Sequence, residues 1–260
     1  MVRGLYTAWT GLRNEEKRMD VVTNNMANAD TTGFKKVEVT SQSFANHLAV
    51  KIEDDTIGLN IRQPIGGTTL GVKIGETYYD MSQGSFRETG DQYNMALSGK
   101  GFFTISMTDK AGVEHTRYTR DGDFTVTKDG FLVTKDGDYV LAEGGGRIQI
   151  PNASVVDISV NQLGEIYSGT NYVAKLQLVD FENYEGLSSY GENMYEAVGG
   201  AAMVEATATV EQGYLEQSNV NMVTEMVDMI AITRAYETNQ KMVQTIDKAL
   251  DKAVNEIGRV

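Results

Sequence analysis

The chain lacks cysteine and contains little proline, and both absences narrow what it can be. Its 260 residues include no cysteine, which excludes disulfide bonds, thiolate metal sites and cysteine nucleophiles. Only two prolines are present, so few positions force a break in a helix or a strand. The length is sufficient to bury one large core or two smaller ones.

Long apolar runs and an excess of positive charge are also missing. No stretch approaches the roughly 20 apolar residues that a membrane-spanning helix needs. Residues Met1 to Trp9 hold no continuous apolar run, which predicts that there is no cleaved signal peptide. The formal net charge is −13, from 36 acidic and 23 basic residues. This balance argues against nucleic acid as a partner, because binding to phosphates needs clustered cations.

Apolar residues recur every seven positions at both ends of the chain. The N-terminal series is Leu5, Leu12, Met19 and Met26, and Trp9 also follows the helical spacing. The C-terminal series is Met222, Met229, Tyr236, Val243, Leu250 and Ile257. A seven-residue repeat keeps an apolar seam on one side of a helix, and another helix is needed to cover it.

This spacing predicts one helix from about residue 3 to 28 and another from about 221 to 257. Glu16 interrupts the first seam, which indicates a loosely packed or water-facing middle. The C-terminal helix carries a second series, offset by three, that polar residues interrupt: Ile232, Ile246, Ala253 and Val260 are apolar, whereas Glu225 and Asn239 are not. The apolar stripe is therefore narrow, as in a coiled coil.

The middle of the chain shows the alternation that is typical of strands. Between Arg120 and Leu141, Asp-Gly pairs at 121–122, 129–130 and 136–137 separate short alternating segments. Asp-Gly supplies the positive φ angles of tight hairpin turns, so this region is predicted to form a β-meander. Residues 36–73 have little periodicity and are predicted to be a linker or irregular arm.

Together these patterns predict an α+β fold. The N- and C-terminal helices pair into a coiled-coil-like stem, and an all-β middle domain is inserted between them. The predicted segments are an N-terminal stem at 1–35, a linker at 36–73, a β-rich body at 74–212 and a C-terminal stem at 213–260.

No pattern in the sequence is typical of a catalytic, cofactor or metal site. His47 and His115, the two histidines, do not have the spacing of zinc ligands. The run 99–101 lacks the spacing of a phosphate loop, and the Asp-Gly-Asp runs at 121–123 and 136–138 lack the remaining ligands of a calcium loop. We therefore expect a protein that is not an enzyme, with no catalytic residues, cofactor or metal.

The run from Asn24 to Lys35, Asn-Asn-Met-Ala-Asn-Ala-Asp-Thr-Thr-Gly-Phe-Lys, resembles the signature of bacterial flagellar rod, hook and hook-associated proteins. The residues that carry this resemblance are Asn25, Ala27, Asn28, Thr31, Gly33 and Phe34. Residues 97–103, 118–122, 191–195 and 212–221 are also similar to this family. The size of the middle domain is similar to that of the proximal and distal rod proteins, and features of both are present.

The resemblance implies a structural subunit of the flagellar basal-body rod. In such proteins the paired terminal helices pack with those of neighbouring copies into a tube around the export channel, with the β-body outside. The two seams and Trp9 would then form the assembly interface, which propagates because it does not close. The implied partners are other copies of the chain, neighbouring rod and hook proteins, and the flagellar export apparatus. The implied location is the basal body outside the cytoplasmic membrane, reached without a cleaved signal peptide.

A hypothesis from another class is a secreted calcium- or carbohydrate-binding β-domain on a helical stalk. The two hypotheses differ in what the terminal helices do. In an assembling protein, seams this narrow gain little stability without partners, so the helices of the free monomer are expected to be poorly ordered.

Overall fold

The computed structural model describes residues 2–51, 63–109, 112–151, 157–191, 193–199 and 201–257. The chain divides into two compact units. Unit 1 comprises Met1–Met26, Val37–Tyr78 and Met222–Val260, and unit 2 comprises Ala27–Lys36 and Tyr79–Asn221. Each unit is therefore built from segments that are distant in sequence.

Unit 1 contains the two long helices that the seams predict. Helix α1 spans Val2–Ala27, and helix α2 spans Met222–Lys252 with a π-helical turn at Ala253–Ile257 after it. Neither helix contains proline, and glycine occurs in them only as Gly4 and Gly11 of α1. The sequence therefore offers little that would interrupt either helix.

Unit 1 also holds four strands. The last of them ends at Tyr79, one residue beyond the unit 1 segment Val37–Tyr78. The four strands are β1 Val37–Ser43, β2 His47–Lys51, β3 Gln63–Thr68 and β4 Val72–Tyr79. Strand β1 pairs with β4, and β2 pairs antiparallel with β3. The sequence predicted a linker over residues 36–73, which include β1, β2, β3 and the first two residues of β4. Strands β1 and β4 show only exposed or partly buried side chains, so they carry no strong apolar alternation.

Unit 2 is almost wholly β. Its strands are β5 Phe86–Glu88, β6 Met95–Ser98, β7 Phe102–Thr108, β8 Glu114–Thr119, β9 Phe124–Val126, β10 Leu132–Thr134, β11 Tyr139–Val140, β12 Ile158–Val160, β13 Glu165–Ser168, β14 Asn171–Lys175, β15 Leu178–Phe181, β16 Leu187–Tyr190, β17 Met194–Ala197, β18 Met203–Glu205, β19 Thr209–Gln212 and β20 Tyr214–Glu216. A 3-10 turn at Tyr184–Gly186 precedes β16. The α+β class is thus confirmed.

Nine strands of unit 2 form one sheet. Its hydrogen-bonded order is β16-β17-β8-β7-β11-β10-β9, with β15 paired to β7 and β18 paired to β15. The smaller sheets are β12-β13-β14, β6-β19 and β5-β20. The predicted meander is present, because β9, β10 and β11 are successive antiparallel neighbours. Its turns contain Gly130 and Gly137 at φ values of 83° and 95°, as Asp-Gly turns require.

Two apolar clusters form the core of unit 2. One includes Leu97 and Phe103, and the other includes Phe102 and Tyr195. Phe102 and Phe103 are adjacent in β7 and therefore point to opposite faces of its sheet. Strand β7 thus contributes to both clusters.

Some predictions fall outside the described residues. These are Met1 of the N-terminal stem, residues 52–62 of the linker, residues 110–111, 152–156, 192 and 200 of the β-rich body, and residues 258–260 of the C-terminal stem.

Candidate assembly site

Two segments of unit 2 that are far apart in sequence are joined by hydrogen bonds. The Gly33 N–H donates to the Glu216 carbonyl oxygen at 2.9 Å, and the Lys36 N–H donates to Asn219 Oδ1 at 2.7 Å. Asn219 Nδ2 in turn donates to the Asp80 carbonyl oxygen at 2.8 Å. The signature run that follows α1 and the run that precedes α2 therefore lie side by side within unit 2.

Three charged side chains are buried where these runs meet. Lys35 Nζ lies 2.6 Å from Glu216 Oε1, and an Arg120 guanidinium nitrogen lies 3.3 Å from Glu216 Oε2. All three side chains are at most 4% exposed. The Gly84 N–H donates a further hydrogen bond to Glu216 Oε1 at 2.9 Å, and Lys35 Nζ donates to the Ser82 carbonyl oxygen at 2.8 Å. We call Lys35, Arg120 and Glu216 the buried trio.

The charges of the buried trio are unequal, because a charged Lys35 gives two cations for one carboxylate. Burial lowers the pKa of Lys35, attraction to Glu216 opposes this shift, and repulsion from Arg120 adds to it. Loss of the Lys35 proton would leave Arg120 and Glu216 as a balanced pair. Glu216 is therefore the member on which the trio depends most, since both cations contact its carboxylate.

Asp121 connects three further parts of unit 2. Its Oδ1 accepts a hydrogen bond from the Thr32 hydroxyl at 2.7 Å, and its Oδ2 accepts one from Asn193 Nδ2 at 2.9 Å. The Asp123 N–H also donates to Oδ1 at 3.1 Å. Burial raises the pKa of Asp121, although the hydrogen bonds from Thr32 and Asp123 act to lower it.

Gly33 allows the signature run to approach residues 120–121 closely. Its φ is +68°, and a Cβ at this position would lie 2.4 Å from the Asp121 backbone nitrogen. Any larger residue would strain the backbone and overlap the neighbouring chain. The glycine is therefore required by the packing of this part of unit 2.

The family-like segments that are separate in the sequence meet here. Residues 32–36, 120–121, 193 and 216–219 are connected by the hydrogen bonds above, and the Arg120 guanidinium carbon lies 5.3 Å from the centre of the Phe102 ring. The buried trio was not predicted from the sequence. The available signal was that a charged residue occurs inside each family-like run, but no local pattern pairs them.

Of the remaining signature residues of unit 2, Asn28 and Thr31 form local contacts and Phe34 lies in the interior. The Thr31 hydroxyl donates to Asn28 Oδ1 at 3.1 Å, and the Thr31 N–H donates to the Asn28 carbonyl oxygen at 3.3 Å. Phe34 is buried, whereas Ala27 is exposed. These residues shape the turn that follows α1.

In unit 1, Asn25 links α1 to β1 and to α2. Asn25 Nδ2 donates to the Val37 carbonyl oxygen at 2.9 Å, and the Val37 N–H donates to Asn25 Oδ1 at 3.0 Å. Nδ2 also donates to Glu225 Oε2 at 3.2 Å. Asn25 and Glu225 are each 1% exposed. One buried amide thus satisfies both backbone groups of a strand residue and contacts a carboxylate of the other helix.

Two more positions bring α1 and α2 together. A Cβ on Gly4 would lie 3.3 Å from Ile246 Cδ1, and a Cβ on Gly11 would lie 2.9 Å from Asn239 Nδ2. From Gly4 to Gly11, seven residues along α1, the partner on α2 moves back by seven residues, from Ile246 to Asn239. From Gly11 to Asn25, the partner moves back again by the same number of residues, from Asn239 to Glu225. The three contacts therefore follow one antiparallel register, and the glycines allow a close approach.

These contacts lie on the interrupted series of α2. Glu225 and Asn239, the polar residues that interrupt it, carry two of the three contacts, and Ile232 between them is buried. The predicted seam residues Leu5, Leu12, Met19, Met26, Met229, Tyr236, Val243 and Leu250 are partly buried, whereas Trp9 and Met222 are exposed. The side chain of Ile257 lies outside the described part of the chain. The seams therefore keep accessible apolar surface in a single chain.

The most exposed apolar face of α2 was not predicted. Val223, Val227 and Ile230 are 71%, 59% and 53% exposed. Their spacing of four and three residues places them on one face of the helix, which we call the outer apolar face. On α1, Tyr6 and Trp9 are also exposed. The spacing of the outer apolar face is visible in the sequence, but its three residues do not belong to the seven-residue series that starts at Met222.

The described ranges show no arrangement of three or more histidine, aspartate and glutamate side chains that could hold a metal ion. Within the same ranges, no helix combines the length and apolar character needed to cross a membrane. The side chains of Asn25, Asp121 and Glu216 instead connect segments of the chain.

Family models of flagellar proteins match three parts of the chain. The model described as flagella basal body rod protein matches residues 5–35, and the flagellar hook protein FlgE/F/G D1 domain matches residues 96–168. The model of the flagellar basal body rod FlgEFG protein C-terminal region matches residues 211–256. The matches include both helices and much of unit 2.

Whole-length relatives agree with these matches. The chain is 33% identical to the flagellar basal-body rod protein FlgG of Bacillus subtilis over 273 residues, covering 98% of this chain and 99% of that one. It is 32% identical to FlgG of Buchnera aphidicola subsp. Baizongia pistaciae over 273 residues, covering 97% and 98%. It is also 32% identical to the flagellar basal-body rod protein FlgF of Caulobacter vibrioides over 261 residues, covering 100% of both. With identities above 30% along nearly its full length, the chain belongs to the family of flagellar basal-body rod proteins.

Proposed function

We propose that this rod protein assembles through its terminal helices into the helical, axial part of the flagellar basal body. The observation that carries the proposal is the outer apolar face, Val223, Val227 and Ile230, which a single chain leaves in water. The names of the relatives support a structural subunit of the rod. Neither the family models nor these names favour calcium or carbohydrate binding.

The antiparallel contacts of unit 1 support a coiled-coil-like stem. Where α1 meets α2, it presents Gly4, Gly11 and Asn25, which are small or polar. Such residues allow close approach but bury little apolar surface. Apart from the buried Ile232 of α2, the two helices of one chain therefore gain little hydrophobic stabilisation at these contacts, and neighbouring copies would supply more.

Burying the outer apolar face against a neighbour would stabilise an assembly appreciably. Full burial of an aliphatic side chain contributes about 1.5–3 kcal/mol, so three of them contribute several kcal/mol before the cost of association. In a helical assembly this face packs against a different surface of the next copy, so the contact is heterologous. Contacts of that kind repeat from copy to copy without closing, which produces a filament.

We infer further that the neighbours are other copies of the chain together with other rod and hook proteins. We also infer that the chain has no catalytic role, because its family is structural. Export through the flagellar apparatus without a cleaved signal peptide, to a location outside the cytoplasmic membrane, rests on the family resemblance.

The test is a substitution that changes only the outer apolar face. Val227→Asp with Ile230→Asp should prevent polymer formation, because both carboxylates would be buried between copies. Gln240→Asp with Gln244→Asp adds the same charge at exposed positions of the same helix and serves as the control. Sedimentation and electron microscopy of concentrated protein measure assembly, and near-UV circular dichroism reports whether unit 2 is folded. Polymers from the first variant, or their loss in the control, would contradict the proposal.

A further inference from the structure

We propose that Asn25 selects the register in which α1 and α2 pair. The inference concerns a single chain, and it rests on the proposed function only in that the register decides which surface of unit 1 faces other copies. Its basis is the contact of Asn25 with Val37 and Glu225, together with a competing register that the sequence offers.

The competing register lies one heptad away. In the observed register, the matched spacing places Arg18 opposite Ile232. A shift of α1 by seven residues, about 10.5 Å along the helix axis, would place Arg18 opposite Glu225 instead. An arginine and a glutamate attract each other, so the shifted arrangement has a favourable contact of its own.

The glycines of α1 do not distinguish the two registers. Gly4 and Gly11 are seven residues apart, and they meet Ile246 and Asn239 in the observed register. After the shift, Gly4 would meet Asn239 and Gly11 would meet Ile232. A glycine would again lie opposite a large aliphatic or amide side chain. A shift of seven residues brings equivalent positions of a seven-residue repeat together again, so the repeat alone does not favour one register.

Arg18 is available for the shifted contact. Its guanidinium lies 3.0 Å from Glu15 on the same helix, and its side chain is 40% exposed. A partly exposed ion pair of this type contributes little stability. Its loss would not prevent Arg18 from turning towards α2.

Asn25 opposes the shift because it is bonded in two directions at once. Its amide exchanges two hydrogen bonds with Val37, the first residue of β1, and β1 is paired with β4. The same amide contacts Glu225 on α2. Moving α1 along α2 would separate Asn25 from Glu225 or from Val37, and the buried amide would lose one of its partners. A buried polar residue at a contact between two helices is a known means of fixing their register.

The absence of cysteine makes a direct test possible. One chain carries three substitutions, Gly4→Cys, Gly11→Cys and Asn239→Cys. In the observed register, position 239 forms a disulfide with position 11, since a Cβ on Gly11 would lie 3.2 Å from the Asn239 Cγ. In the shifted register, position 239 forms a disulfide with position 4. Mild oxidation of dilute protein and mass mapping of peptides give the ratio of the two products.

With Asn25 present, the 11–239 product should exceed the 4–239 product by at least tenfold. Asn25→Ala should lower that ratio tenfold or more. Thr23→Ala, at an exposed position of the same helix, should leave it unchanged. Adding Arg18→Gln to Asn25→Ala should raise the ratio again, because the competing register then loses its ion pair.

An unchanged ratio in the Asn25→Ala chain would overturn the proposal. Loss of both disulfides would also overturn it, because Asn25 would then hold the helices together without choosing between registers. Both products form within one chain, so either result leaves the assembly proposal to its own test.

Discussion

Lys35 Nζ lies 2.6 Å from Glu216 Oε1 inside unit 2, although 181 residues separate the two in the chain. The contact connects the run that follows α1 with the run that precedes α2. Because both side chains are buried and Arg120 shares the same carboxylate, the connection is electrostatic and sensitive to the balance of charge. Unit 2 itself thus holds together the two runs that flank the terminal helices.

The imbalance of the buried trio predicts unequal effects of two substitutions. Glu216→Gln leaves Lys35 and Arg120 without their carboxylate and should lower the free energy of unfolding of unit 2 by about 3–5 kcal/mol. Lys35→Met should cost less, because Arg120 and Glu216 remain as a balanced pair. Urea unfolding followed by near-UV circular dichroism, to which the tyrosines of unit 2 contribute, measures both values. An equal or larger loss for Lys35→Met would contradict this account of the trio.

Gly33 and Gly90 form a matched pair for separating backbone strain from overlap. Their φ values are +68° and +70°, but a Cβ on Gly90 would meet nothing within 4 Å. Gly90→Ala should therefore cost only the strain of a left-handed residue, ~1–2 kcal/mol. Gly33→Ala adds the overlap with Asp121 and should cost about 3 kcal/mol or more. Thermal and urea unfolding measure both, and similar losses would show that Gly33 is not tightly packed.

The amide of Asn25 predicts a reciprocal rescue in unit 1. Asn25→Asp keeps the shape of the side chain but removes both donated hydrogen bonds and places a carboxylate beside Glu225. The stability of unit 1 should fall by about 3 kcal/mol, as expected when a buried partner becomes a like charge. Adding Glu225→Gln returns a donor to the pair and should recover part of the loss. Far-UV circular dichroism during urea unfolding follows the helices, and the absence of any rescue would contradict the assigned contact.

The raised pKa of Asp121 predicts a dependence of stability on pH. Between its ordinary value of 3.8 and the raised value, folded Asp121 holds a proton that the unfolded chain has released. The stability that this group contributes therefore falls as pH rises through that window. Comparison with Asp121→Asn isolates the effect, because other groups titrate equally in both proteins. The stability of the unsubstituted chain relative to the variant should decrease from acidic to neutral pH, and an increase would contradict the assignment.

The sequence predicted the parts of the fold that depend on local pattern. Helices α1 and α2 follow from proline-free apolar spacing, and the meander turns follow from the Asp-Gly pairs at Gly130 and Gly137. Strand β1 was not predicted, because its stabilising partner is β4 rather than an apolar core.

The buried trio could not be predicted for a different reason. Lys35 and Lys36 are adjacent lysines, yet Lys35 is buried and Lys36 is only partly so. Nothing in the neighbouring residues distinguishes them, since the difference comes from Glu216 at the other end of unit 2. The glycine contacts between α1 and α2 were missed for another reason. The seven-residue pattern is defined by apolar side chains, whereas Gly4 and Gly11 allow close approach because they have no side chain.

The most direct test of the central claim is electron microscopy of basal bodies from the native bacterium after deletion of this chain. We expect incomplete rods and no hooks, with recovery on expression of the unsubstituted chain but not of Val227→Asp with Ile230→Asp. Complete rods and hooks in the deletion strain would contradict the claim that this chain is a structural subunit assembled through its terminal helices.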